Sequence, residues 1–145
     1  MSKFSHIKNN KVEMVDLSGK KKSLRESIAT STIKFPEEAY KKIKISGSPK
    51  GEIFTTARIA GIQAAKKTSD FIPLCHNIKI NFISIDFTLS DEFFSITAES
   101  KVRTTEITGV EMEALISASI ATLTIYDMCK SIDKGLIIEC TKLKY

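Results

Sequence analysis

Cysteine and histidine are scarce in this chain of 145 residues, which holds three of the first and two of the second. Cys75, Cys129 and Cys140 are odd in number and irregularly spaced, and no CxxC occurs. A disulfide framework and a structural zinc site are both disfavoured on that count. No apolar run approaches the roughly 20 residues that a membrane-spanning helix needs. The first residues, "MSKFSHIKNNK", are polar and lack the apolar core of a signal peptide. The expected location is therefore cytoplasmic, with an organelle as the alternative. Internal repeats and low-complexity linkers are absent as well. Charge of one sign is only mildly in excess: 22 basic against 17 acidic residues give +5. Such a balance is compatible with nucleic acid, a phosphorylated small molecule or neither as a partner. Apart from "GKKK" (Gly19–Lys22) the lysines are scattered, as on an ordinary solvated surface.

What is present is the composition of a soluble globular protein, 42% apolar and 27% charged. The length suits one domain, residues 1–145, with a real core. "SIATSTI" (Ser27–Ile33) is rich in β-branched residues and predicts a strand. Pro36 opens a short helix, "PEEAYKKI", with Glu37 and Glu38 at its favourable end. After the loop "SGSPKG" (Ser46–Gly51) a longer helix runs from about Glu52 to Lys67. One side of it is small (Ala57, Ala60, Gly61, Ala64, Ala65), so another backbone can approach closely. Ile78 to Leu89 predicts a strand, but its apolar residues occupy both alternation phases, which implies a bulge or cover on both faces. Phe94, Ile96, Ala98 and Val102 alternate with polar residues in the cleanest one-sided strand. Val110 to Cys129 predicts a helix apolar almost all round, hence buried. "LIIECTKL" after Gly135 is a last strand. The order strand, helix, strand, strand, helix, strand is that of an α+β, ferredoxin-like (split βαβ) fold: an antiparallel sheet with helices packed on one face. Oligomerisation would cover whatever apolar surface is left.

Three groups of residues could carry chemistry. The first is Cys75–His76, in "FIPLCHNIKINFISIDF". Neighbours on an extended chain point to opposite faces, which argues against a shared metal or a nucleophile–base pair. Cys75 suits a small buried position. For His76, a pocket wall and core filling stay equally open.

The second lies on the predicted helix "TGVEMEALISASIATLTIYDMCKSIDKG" (Thr108–Gly135). Glu111 and Glu113 stand at its start, and Asp127 and Lys130 leave it on one face. These charges suit the helix dipole, and Asp127–Lys130 could be a surface ion pair. Yet "LTIYDMCKSI" reads as buried, and a buried carboxylate beside an amine is suited to proton transfer. Glu113 and Asp127 lie about 21 Å apart along a straight helix at 1.5 Å per residue. One site could use both if its ligand is long or if two subunits pool opposite helix ends. The third group is basic. Lys50–Gly51 precedes one helix, Thr108–Gly109 precedes another, and Lys20 and Arg25 lie near the N-terminus. Together they suit a phosphate-bearing ligand.

"ARIAGIQAAKKT" (Ala57–Thr68), "IPLCH" (Ile72–His76), "TGVEMEAL" (Thr108–Leu115) and "LTIYDMCK" (Leu123–Lys130), in this order and spacing, resemble the cyclic pyranopterin monophosphate synthase family of molybdenum cofactor biosynthesis. The resemblance covers about Met14 to Leu143. It implies a ferredoxin-like subunit in a hexamer built from dimers, with active sites at the dimer interface. It also implies a lyase whose substrate is 3′,8-cyclo-7,8-dihydroguanosine 5′-triphosphate. The family rearranges this to the pyranopterin, closes a cyclic phosphate and releases pyrophosphate. Motif by motif, Asp127 and Lys130 fall on catalytic positions. Leu74, Cys75, His76, Met112 and Glu113 fall on substrate-contact positions, with Glu111 beside them. Lys50, Lys20 and Arg25 fall on basic positions suited to the triphosphate. No metal site is expected in the protein, though Mg2+ could accompany the triphosphate. It makes the Cys–His pair a pocket wall. Asn77 stands where the family has proline, and Glu106 and Ile107 stand where it has glycine and lysine. The family pattern also continues past Tyr145 into a glycine-rich tail whose lysine contributes to the site. The rival readings are a ferredoxin-like nucleic-acid-binding domain and a catalytically weakened structural homologue lacking that tail.

Overall fold

The computed structural model describes residues 7–8, 11–19 and 21–145. Two short strands, β1 (Ile7–Lys8) and β2 (Lys11–Val12), pair with each other. The main sheet comprises β3 (Arg25–Lys34), β4 (Phe82–Ser90), β5 (Ser95–Thr104) and β6 (Ile137–Leu143). Its order is β4-β5-β3-β6, with every neighbouring pair antiparallel. Between β3 and β4 run α1 (Glu37–Ser46), α2 (Ile53–Lys66) and the single turn α3 (Thr68–Phe71); between β5 and β6 runs α4 (Glu111–Cys129). Each crossover skips one strand, so the two βαβ units interlock in the expected ferredoxin-like α+β arrangement. Among the described residues no helix is long and apolar enough to cross a membrane.

The sheet's helix-facing side is set by period two. In β3, Ser27, Ala29, Ser31 and Ile33 are buried while the residues between them are half-exposed. In β5, Ile96, Ala98, Ser100, Val102 and Thr104 form the matching buried row. The opposite side is polar. Glu26 pairs with Arg103, Thr32 bonds Thr97 at 2.9 Å, and Lys144 reaches Glu99 at 2.7 Å.

α2 lies against α4 through its small face: Ala57, Gly61, Ala64 and Ala65 are buried. A Cβ on Gly61 would stand 2.9 Å from the Ser117 carbonyl oxygen of α4 and collide with Ile85 of β4. The close backbone approach expected from those residues is thus a helix–helix contact within the subunit.

Three expectations are corrected. The strand expected from Ile78 begins only at Phe82. Ile78 and Ile80 belong to an irregular lead-in packed on the cluster of Ala29, Val102, Val110, Ala114 and Ala118, which is why two apolar phases meet there. Phe94 is not in β5; it sits in the turn before it at φ 53° and packs on Tyr40. Nor is α4 buried all round. Ala114, Ala118, Ala121 and Ile125 face the sheet at 0% exposure, whereas Leu123 is 53% exposed.

Candidate active site

A cavity of about 810 Å³ opens at the N-terminal end of α4. One wall is Ile72 to His76, the segment after α3; another is Thr108, Gly109, Glu111, Met112 and Glu113. Val12, Val15 and Leu17 of the N-terminal segment close a third side. The chain turns after α3, with Ile72 N–H donating to Thr68 O at 3.0 Å and Cys75 N–H to Ile72 O at 3.1 Å. Because this stretch is a turn and not a strand, Cys75 and His76 line the same cavity, both half-buried. The opposite-face argument does not hold for them.

The first turn of α4 brings three consecutive residues to the cavity. Gly109 precedes it, and the Glu111 carboxylate folds back over the space that a side chain at 109 would occupy. Glu111 is exposed and Met112 half-buried, while Glu113 is 5% exposed. Burial pushes the Glu113 carboxyl above the usual carboxylate range; its own backbone N–H pulls the other way, and Glu111 adds to the rise. A helix N-terminus favours carboxylate charge, but here the loss of water outweighs it. The Cys75 thiol is raised by burial and by the facing Glu113 charge. The cavity therefore presents a thiol, an imidazole, a thioether and a carboxyl shifted toward its neutral form, all on an apolar lining.

At the far end of α4 stands the second group. Lys130 Nζ meets Asp127 Oδ1 at 2.9 Å, and Lys50 Nζ meets the same oxygen at 3.3 Å. Lys50 also donates to the Asp127 carbonyl at 2.9 Å. Hydrogen bonds from Lys130 and then Lys50 hold the Asp127 carboxyl below its ordinary range. The expectation that Asp127 is buried is corrected: its side chain is 57% exposed, and those of Lys130 and Lys50 are 48% and 41% exposed. The apolar letters around it, such as Ile125 and Met128, face the core, and Asp127 occupies the outward side of the last turn.

Within one subunit the two groups do not meet. Glu113 and Asp127 lie on one uninterrupted helix, about 21 Å apart at its 1.5 Å rise. Arg25 is half-buried, and its Nε donates to Glu106 O at 3.1 Å, two residues before the cavity wall begins at Thr108. Lys22 faces the Glu106 carboxylate at 3.8 Å. Lys20 lies outside the described residues. Among the described residues no three His, Cys, Asp or Glu side chains gather as a metal-ligand set. Sequence reasoning missed Val12, Val15 and Leu17, although "VEMVDL" does carry apolar letters at those positions. It also missed Ser48, in the loop that presents Lys50.

Fold and site together define a class: a ferredoxin-like α+β protein with a small-molecule cavity at one end of its long helix and an exposed acid–amine cluster at the other. Comparison with known proteins narrows the class. The model of the MoaC family matches residues 14–145. Curated proteins named cyclic pyranopterin monophosphate synthase from Bacillus thuringiensis, Bacillus cereus and Bacillus anthracis are each 47% identical to the chain over 146 residues, covering 99% of it and 91% of the relative. The chain belongs to the MoaC family.

Proposed function

We propose that the chain is a lyase of molybdenum cofactor biosynthesis, converting 3′,8-cyclo-7,8-dihydroguanosine 5′-triphosphate to cyclic pyranopterin monophosphate with release of pyrophosphate. The observation that carries this is the cavity itself. Its volume of about 810 Å³ suits a small-molecule ligand, and its walls are "IPLCH" and "TGVEME", two of the motifs on which the family resemblance rests. Relatives at 47% identity bear the name of this activity.

In this reading the base end of the substrate enters the apolar cavity. The Glu113 carboxyl, which burial shifts toward its protonated form, meets a polar atom of the ring, His76 offers a second polar contact, and Met112 packs on the ring. Leu74, Cys75 and Glu111 complete the contacts. The triphosphate lies along Lys50, with Arg25 and Lys20 as further cations. Lys130 donates or takes the proton during ring rearrangement, and the ionised Asp127 orients its ammonium. Mg2+ accompanying the triphosphate would draw its ligands largely from phosphate oxygens and water, as that ion prefers.

The separation of roughly 21 Å along α4 favours a site pooled from two subunits, one giving the cavity and its partner the Asp127–Lys130 end. A hexamer built from dimers is the assembly proposed. Exposed Leu123 supplies apolar surface for such a contact. The nucleic-acid reading is less well supported. Base stacking needs bare aromatic faces on the open side of the sheet, and there the Arg103 guanidinium covers the Phe82 ring at 4.8 Å.

The test is to supply the cyclised dihydro-GTP to the purified full-length protein and measure pyrophosphate and the pyranopterin together, with the mass in solution read by light scattering. Binding of the substrate without either product would leave only the weakened homologue. Salt-sensitive RNA binding with no affinity for guanine nucleotides would favour the nucleic-acid reading.

A further inference from the structure

The 47–51 loop holds Lys50 where it is, and one hydroxyl in that loop makes the decisive contact. Ser48 Oγ donates to the carbonyl of Met128 and accepts the Lys50 backbone N–H at 3.1 Å. The loop is a tight turn: Gly51 N–H donates to Ser48 O at 3.2 Å, and Gly51 adopts φ 118°, open in practice to glycine. At the end of α4, Tyr126 O accepts Lys130 N–H and Cys129 O accepts Ile132 N–H. The two carbonyls between them, those of Asp127 and Met128, are taken by the loop, through Lys50 Nζ and Ser48 Oγ. A helix end leaves its last carbonyls without intrahelical partners, and here a remote loop supplies them.

We infer that Ser48 is a positioning residue, clamping the 47–51 loop to the C-terminal end of α4 so that the Lys50 ammonium stays on Asp127, ready for the triphosphate. This rests on the roles of Lys50, Asp127 and Lys130 proposed above. The physical reason is one of magnitude. Lys50 and Asp127 side chains are both exposed, and exposed ion pairs between long side chains contribute little net energy and restrict their partners weakly. The half-buried hydroxyl of Ser48 acts through a short side chain with one torsion to order. It ties down the backbone two residues from the lysine it serves.

The test uses steady-state kinetics of the full-length protein with the cyclised dihydro-GTP. Ser48→Ala should raise KM about two- to tenfold, the equivalent of one ordinary hydrogen bond, with kcat near the parent. In a Lys50→Ala background it should add nothing, because the group it positions is gone. Ser48→Thr should behave as the parent and Ser48→Val, its isostere without the hydroxyl, as Ser48→Ala. Should Ser48→Ala fail to fold, the Thr/Val pair decides. A readout apart from turnover is the Asp127 carboxyl titration by carbon-13 NMR. With Lys50 loosened, Lys130 alone faces the carboxylate, so its midpoint should rise in Ser48→Ala and Ser48→Val and not in Ser48→Thr. An unchanged KM in both hydroxyl-free variants, or a full penalty persisting in Lys50→Ala, overturns the positioning role while leaving the site reading intact. An unaffected Lys50→Ala overturns the site reading itself, and the role of Ser48 with it.

Discussion

Replacing Gly61 by leucine tests the packing on which the site's long helix depends. A Cβ at Gly61 would meet the Ser117 carbonyl oxygen at 2.9 Å and clash with Ile85 Cδ1. The two obstacles differ. Ile85 Cδ1 is the free end of a side chain and can shift if its pocket allows, but it is 1% exposed in the main core. The Ser117 carbonyl is backbone in the middle of α4, so it moves only if α4 moves. Glycine to a larger residue gains about 1 kcal/mol of helix propensity, while overpacking of this kind costs about 1–3 kcal/mol. Alanine should therefore come out close to neutral or modestly destabilising, and leucine, adding three more carbons, should sit at or beyond the top of that cost. At roughly 3 °C per kcal/mol for a chain of this size, Gly61→Leu should lower Tm by about 6–9 °C or prevent folding. The assay is calorimetry at one fixed protein concentration, with mass by light scattering. An unchanged Tm and an unchanged mass in Gly61→Leu would show that α2 and α4 are not in backbone contact at this point.

Lys130→Ala should lower kcat by about 10²-fold or more, the usual contribution of a positioned proton-transfer group, with Tm and mass unaltered because the side chain is about half-exposed; turnover equal to the parent would reduce the Asp127–Lys130 contact to a surface ion pair. Asp127→Asn keeps the shape and removes the charge that orients the ammonium, so it should act in the same direction, and a kcat equal to the parent's would refute that role. Lys50→Ala should act mainly on KM for the triphosphate, and a purely kcat effect would reassign it to the chemical step. Glu113 gives a pH prediction with a definite sign. Its folded-state pKa is raised by burial, so the folded protein holds the proton more tightly than the unfolded chain, and its ionisation costs stability as pH rises through the folded pKa. Glu113→Gln should therefore raise Tm at pH 7–8, with a gain that shrinks as pH falls toward the unfolded value near about 4.3. A gain that is constant with pH would refute the burial argument.

Much of the architecture was legible from local patterns because those patterns are short-range. β3 and β5 alternate strictly, since each buries one side chain in two on a sheet covered on one face, and that period is written in consecutive residues. Pro36, the acids after it and Glu52, whose side chain accepts the Phe54 N–H at 3.1 Å, mark helix starts for reasons confined to one turn. The run of alanines around Gly61 announced a close approach from composition alone. Two of the four family motifs, "IPLCH" and "TGVEMEAL", contain residues that wall the cavity.

Tertiary structure alone decided what those motifs face. α4 is apolar on most sides, so its letters do not say which side meets the sheet. α4 packs on α2, β3 and β5, and only that packing decides that Glu113 is buried near its start while Asp127 is exposed near its end. The burial of Glu113 raises its carboxyl and the exposure of Asp127 leaves its lysines free to lower that one, so two acids on one helix acquire opposite shifts. Cys75 and His76 share a cavity because a turn, not a strand, carries them, and strand propensity in the following residues could not report where the ladder begins. The walls from Val12 to Leu17, Ile72 to His76 and Thr108 to Glu113 lie far apart in sequence and meet only when the chain folds. The clamp from Ser48 to Met128 spans 80 positions. No local periodicity encodes such a contact, because its energy depends on where two distant segments come to rest.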